Sequence, residues 1–265
     1  MKKNPWIGVI LILAIIAVLI AYFAGQHTIN SSSTSSNTPT TTTSINQNGF
    51  VDRKAFVSDF LSALDQYYIS STEGVGLTNS STMVDIFSTQ IKISDDIAAG
   101  NGFLSKYSNS SDPTIKLLAN DVTVIMSDYK TKLDASSQAF QNDTQQNQIT
   151  ALQYSVAQMS AAQDEAKTGI IQAGVMMMPI ILNISSPNQD PNAKLSGPID
   201  YILSSQDRAD LAAQIDTNFG SALSNKSNAY IFAANFIKIL LTANTWEEYG
   251  KETTILKSQM TATSP

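Results

Sequence analysis

The sequence predicts an all-α protein, made of an N-terminal transmembrane helix, a disordered Ser/Thr-rich stalk and an extracytoplasmic bundle of about five to seven helices. Three observations predict it. Residues Trp6 to Ala24 carry no charge; the stretch from Gln26 to Asn48 is dominated by Ser, Thr and Asn; and beyond Gly49 apolar residues recur at threes and fours rather than at twos. The expected divisions are a short cytoplasmic N-terminus at 1–5, the span at 6–24, the stalk at 25–49, the bundle at 50–250 and a polar tail at 251–265.

The 19 residues from Trp6 to Ala24 rise roughly 28 Å as a helix, enough to cross a hydrocarbon core. Lys2 and Lys3 precede them and the next charge is Asp52, so the positive-inside rule places the N-terminus in the cytoplasm and the remainder outside. Trp6 and Tyr22 sit near the two ends, where amphipathic rings favour the interface. A cleaved signal peptide fits less well. Cutting after Ala24 or Gly25 would place Tyr22 or Phe23 where a small residue is needed, and the apolar run exceeds the usual 7–15 residues. The membrane is thus the first expected partner, held through residues 6–24. The stalk that follows has almost nothing to bury, and as a flexible chain it would span roughly 25 Å.

Composition narrows the chemistry of the distal part. All 22 acidic residues lie beyond residue 50, against 14 of the 16 basic ones, a net −8. Such a surface repels phosphates, so no nucleic-acid partner is expected. There is no cysteine, which removes disulfides, thiolate metal sites, cysteine nucleophiles and a lipoprotein anchor. The one histidine, His27, falls in the stalk, away from any packed environment that a Ser-His-Asp arrangement or a zinc site requires. No EF-hand loop, P-loop or dinucleotide fingerprint is present; Gly74, Gly76, Gly100 and Gly102 read as turns.

The helices are expected in the following order. A first segment, about 50–69, places Phe50, Val57, Phe60, Leu61, Leu64, Tyr67 and Tyr68 largely on one face, and Gly74 and Gly76 end it. A second opens after Asn79 or Ser80, carries Met83, Ile86, Phe87, Ile93 and Ile97, and stops at Ala99-Gly100-Asn101-Gly102. The third is the clearest: Asp112 caps it, Pro113 takes the first helical position, and Ile115, Leu118, Val122, Ile125, Tyr129, Leu133 and Phe140 form a seam.

The fourth, about 145–183, forms a long antiparallel pair with the third across a polar break near Asn142. Its apolar positions are Ile149, Leu152, Val156, Met159, Ala166, Ile170 and Met177, interrupted by Gln163; its Ala and Gly content allows close approach. Pro179 should kink or end it, although Ile180 to Ile184 is compatible with extended structure. Pro187, Pro191 and Gly197 then mark a loop, and Pro198 starts a shorter helix through Leu203. A capped run from Ser205 or Gln206 reaches Phe219, with Gly220 as punctuation. The last helix, about 228–244, is strongly apolar, but its length and its Asn235 and Lys238 mark a buried amphipathic helix rather than a second span.

The remaining candidates for chemistry are three carboxylate pairs: Asp95 with Asp96, Asp164 with Glu165, and Glu247 with Glu248. Paired carboxylates can do acid–base work or bind a hard cation, yet neighbours on a helix point about 100° apart, so solvated faces are the plainer reading. Met176, Met177 and Met178 cannot all face one core. Trp246 and Tyr249 either cover the bundle end or mark a contact surface. Six asparagines, Asn30, Asn79, Asn109, Asn142, Asn183 and Asn225, begin N-x-[ST] sequons, where roughly four arise by chance in so polar a chain. No catalytic, cofactor-binding or metal residue is assigned. The expectation is a non-enzymatic binding, sensing or interaction module near the membrane surface, taking an envelope protein or small ligand as partner. The alternatives are a carboxylate-dependent envelope hydrolase or lyase, and a structural or assembly protein.

Overall fold

The computed structural model describes residues 47–73, 83–142, 148–184 and 190–261, and among these the regular structure is helical apart from a single β-bridge between Lys194 and Thr245. The helices are α1 (Gln47–Glu73), α2 (Met83–Ser105), α3 (Pro113–Asn142), α4 (Gln148–Ile181), α5 (Ser196–Ile199), α6 (Ser205–Phe219), α7 (Ala229–Thr242) and α8 (Trp246–Thr261); a 3₁₀ turn (Gly220–Ser224) follows α6. Among the described residues no helix is long and apolar enough to cross a membrane. The expected span at 6–24, His27, most of the stalk, the turn at Gly74 and Gly76, the caps at Asn79 and Ser80 and the break at 143–147 lie outside the described residues. So do the side chains of Phe50, Met83, Ile86, Phe140, Ile149, Leu152, Val156 and Met159.

Helices α1 to α4 run alternately up and down. Tyr67 of α1 meets Asn101 of α2, and Lys132 of α3 pairs with Glu165 of α4, while Arg53 meets Asp112 at the start of α3, so α1 and α3 share a direction. Helix α7 packs against both α1 and α4 and closes the group into a ring. It is apolar nearly all round: Tyr230, Ile231, Phe232, Phe236, Ile237, Leu240 and Leu241 are all buried. Asn235, Lys238 and Thr242 form its one polar stripe, and so apolar a helix is stable only inside a fold or a membrane; here α1, α4, α6 and α8 pack against it. Small residues permit the α4–α7 approach, since a Cβ placed on Gly174 would lie 3.3 Å from that of Ala233.

The third helix forms as its sequence dictates. Asp112 Oδ1 accepts from the backbone N–H groups of Thr114 and Ile115, at 2.9 and 3.3 Å, and Ile115, Leu118, Val122, Tyr129 and Leu133 are buried. Helix α7 starts likewise on Asn228, which accepts from Tyr230 and Ile231, and α6 on a capping box between Ser204 and Asp207.

Five expectations need correction. Helix α2 does not stop at Gly100–Gly102 but runs to Ser105. Gly100 is there for space: a Cβ would fall 2.8 Å from Tyr67 Cδ1 and 2.9 Å from Cζ, closer still to Cε1. Ile180 and Ile181 are helical rather than extended, because Pro179 sits within α4 and the helix ends two residues later in a Schellman turn. Asn183 takes φ 64°, its N–H donates to Ile180 O, and that of Ile184 donates to Pro179 O. The helix around Pro198 closes at Ile199, short of Leu203.

Residues 251–261, expected as a tail, continue α8, and α1 begins at Gln47 rather than 50. The tail expectation fails because few apolar residues hold α8: Leu256 is buried with Thr253, and the Tyr249 ring stacks edgewise on Phe236 and Trp246. Thr245 and Glu248 help to start it, with Thr245 Oγ1 accepting from Glu248 N and Glu248 Oε2 accepting from Asn244 N. The loop before α5 laces onto the same turn through Leu195 N to Asn244 O and Trp246 N to Ala193 O.

The glycines make a paired prediction. Gly100→Ala should destabilise by about 1–3 kcal/mol, since Tyr67 is buried and its hydroxyl is tied to Asn101. Gly102→Ala, with nothing within 4 Å of its Cβ, should stabilise by about 0.5–1 kcal/mol through helix propensity alone. Urea unfolding midpoints of the two variants should therefore move in opposite directions.

Candidate functional site

Helix α1 carries the polar residues that organise the bundle. Arg53 donates from Nε to Asp112 Oδ2 at 2.7 Å and from Nη1 to the carbonyl of Ile181 at 3.0 Å. One guanidinium thus joins α1, the cap of α3 and the carbonyl end of α4, and each charge opposes the adjacent helix dipole. The next residue, Lys54, pairs with Asp207 in the capping box of α6, and Asp59 accepts from the Tyr107 hydroxyl and pairs with Lys106 at 2.8 Å. Ser58 and Ser62 hydrogen-bond Gln214. These groups hold helix ends and loops in place, and sequence reading missed all of them as long-range partners, except that the Asp112-Pro113 pair marked one end of the Arg53 contact.

The carboxylate pairs do not assemble into a site. Asp95 is exposed, and Asp96 turns partly inward beside Glu73. Asp164 pairs with Lys167 at 3.6 Å, while Glu165 reaches across to Lys132 at 3.0 Å. Glu247 is exposed and Glu248 caps the start of α8. Among the described residues no three His, Asp or Glu side chains are grouped to hold a metal ion. The methionines divide as helical geometry requires: Met178 is fully buried, and Met176 and Met177 are half-buried. Trp246 and Tyr249 pack edge to face on the end of the core, with Trp246 partly exposed. The larger exposed apolar side chains are spread over several elements; Leu117 and Val124 share a face of α3, and Ile91, Tyr201 and Ile255 lie elsewhere.

Four carboxylates are displaced from ordinary titration. Burial raises Asp65 and Asp121, and burial followed by the charges of Glu73 and Asp95 raises Asp96. A raised carboxyl disfavours the fold when ionised, so its contribution to stability grows as pH falls through the folded pKa and is complete below the ordinary carboxylate value. Asp207 works the other way: its hydrogen bond from Lys54, foremost, lowers it, and that support is lost only below the ordinary range. The bundle should therefore gain stability on mild acidification from pH 7. Asp65→Asn and Asp96→Asn should each raise the unfolding midpoint at pH 7 and flatten that rise in a pH series.

At the centre, Tyr67 and Tyr230 lie with ring centroids 6.4 Å apart. Burial, and then the neighbouring phenols, push both well above the usual tyrosine value. The Tyr67 hydroxyl donates to Asn101 Oδ1 at 2.8 Å, and the Asn101 amide donates on to Ser127. Among the described residues the buried Tyr230 hydroxyl has no hydrogen-bond partner. Tyr230→Phe should thus be neutral or stabilising by up to about 1 kcal/mol, whereas Tyr67→Phe should cost about 0.5–1.5 kcal/mol, read from the same denaturation curves.

Compared with known proteins, the chain matches no family model, no curated protein sequence and no solved structure.

Proposed function

We propose that the chain is a membrane-tethered module whose helical bundle stands outside the cytoplasmic membrane and acts by binding, sensing or interaction close to the membrane surface. The observation that carries the reading is a division of apolar sequence. The bundle keeps its most apolar helix, α7, enclosed by α1, α4, α6 and α8, while Trp6 to Ala24 form an uncharged stretch of spanning length behind two lysines. Attachment then falls to residues 6–24, and the Ser/Thr-rich stretch lets the bundle search a shallow zone above the bilayer. A binding role is favoured over carboxylate catalysis by where the acids lie. A glycosidase-type site wants two inward carboxyls about 5–9 Å apart, whereas Glu165 and Glu248 are tied to a lysine and a helix start, and their sequence neighbours face solvent or another lysine.

Cross-linking in native membranes followed by pulldown of the full chain tests the binding role. An envelope protein or small ligand cross-linked to bundle residues is the expected result. Recovery of the chain alone, with hydrolysis of an envelope polymer by the purified protein, would replace it with the enzymatic alternative.

A further inference from the structure

We propose that Asn109 and Asn225 are acceptor sites for N-linked glycans, and that Asn183, although it begins an equally good sequon, is not; the inference rests on the outward placement of the bundle. Sequon number carries little, but the fold separates these three in a way the tripeptide pattern does not. Asn109 lies in the α2–α3 connection, exposed, with the exposed Ser111 two residues on. Asn225 lies between the 3₁₀ turn and α7, also exposed. Its Oδ1 accepts the Ser227 hydroxyl at 2.7 Å, leaving the amide nitrogen unengaged. In both, the asparagine and the hydroxyl-bearing residue two positions on are exposed in a connection between helices, where a bulky polar chain can be carried.

Asn183 is exposed too, but the fold holds it in place. It holds the left-handed position that ends α4, its Nδ2 donates to Pro198 O at 3.1 Å, and the middle residue of its tripeptide, Ile184, is buried. Reaching an enzyme groove there would mean dismantling the Schellman turn. The reaction needs a lipid-phosphate-linked sugar donor and a membrane transferase. The asparagine Nδ2 attacks the anomeric carbon, the N–C bond forms as the C–O bond to phosphate breaks, the lipid phosphate leaves with the electron pair, and one amide proton passes to a base of the transferase.

The test is glycopeptide and intact-mass spectrometry of the full chain purified from its native membranes, with protease shaving of the same membranes as a topology control. Glycan mass on the Asn109 and Asn225 peptides and none on Asn183 is expected, and Asn109→Gln and Asn225→Gln should each remove one glycan's mass completely. Bare Asn109 and Asn225 on a bundle that protease removes would overturn the inference and leave the tether standing. A bundle protected from protease would overturn both. A glycan found on Asn183 would overturn the geometric argument that separates the three.

Discussion

Phe56→Ala should lower the unfolding free energy by about 3–5 kcal/mol, the largest single effect expected in the bundle. Phe56 is fully buried on α1, where its ring meets Tyr107 edge to face with centroids 5.0 Å apart and lies 6.0 Å from Phe60. Truncation removes apolar area from water-free packing and leaves a cavity between α1 and the α2–α3 connection. That cavity cannot collapse easily. Tyr107 is pinned through its hydroxyl to Asp59, and Arg53, one turn before Phe56, is fixed to two other helices. Phe56→Leu keeps most of the volume and should cost under half as much. Equal losses for the two variants, by urea denaturation, would mean that the site does not pack as described.

Asp112→Ala should cost about 2–3 kcal/mol. The cap is worth about 1 kcal/mol, and the charged hydrogen bond from Arg53 about 1.5–3 kcal/mol before the freed guanidinium turns to solvent. Asp112 is 12% exposed and Arg53 24%, so part of the charge can be rehydrated and the sum falls short of a fully buried pair. Asp112→Asn keeps an oxygen for the cap and loses the charge, and should cost about 1–2 kcal/mol. Arg53→Ala should resemble Asp112→Asn but also release Ile181 O, loosening the end of α4. Hydrogen exchange at the last turn of α4 should then rise in Arg53→Ala and not in a Lys54→Ala control.

How much of this was legible in the sequence follows from the range of the forces involved. Local signals were sufficient for the start of α3, where Asp112 and Pro113 act within one turn, and for the burial of α7, whose composition leaves one narrow polar stripe of Asn235, Lys238 and Thr242. Gly100 shows the opposite case. Its residue type argues for a turn, but the reason for glycine is the Tyr67 ring, 33 positions earlier in the chain, and no local pattern encodes that contact. Residues 251–261 read as a tail because, among the described side chains beyond its first turn, the helix buries Thr253 and Leu256 alone and has little periodicity to show. For the candidate site, the pairings of Glu165 and Glu248 are likewise tertiary or capping contacts. Adjacent carboxylates announce chemistry in a sequence, whereas the lysine on a neighbouring helix that neutralises one of them does not.

The proposed tether, a bundle held outside the membrane by residues 6–24, is tested by protease added to intact cells or right-side-out vesicles carrying the full chain. The expected result is loss of the bundle and retention of a short membrane-embedded N-terminal fragment that resists alkaline extraction. A bundle degraded only after the membrane is permeabilised, or released intact from the membrane by an alkaline wash, would contradict it.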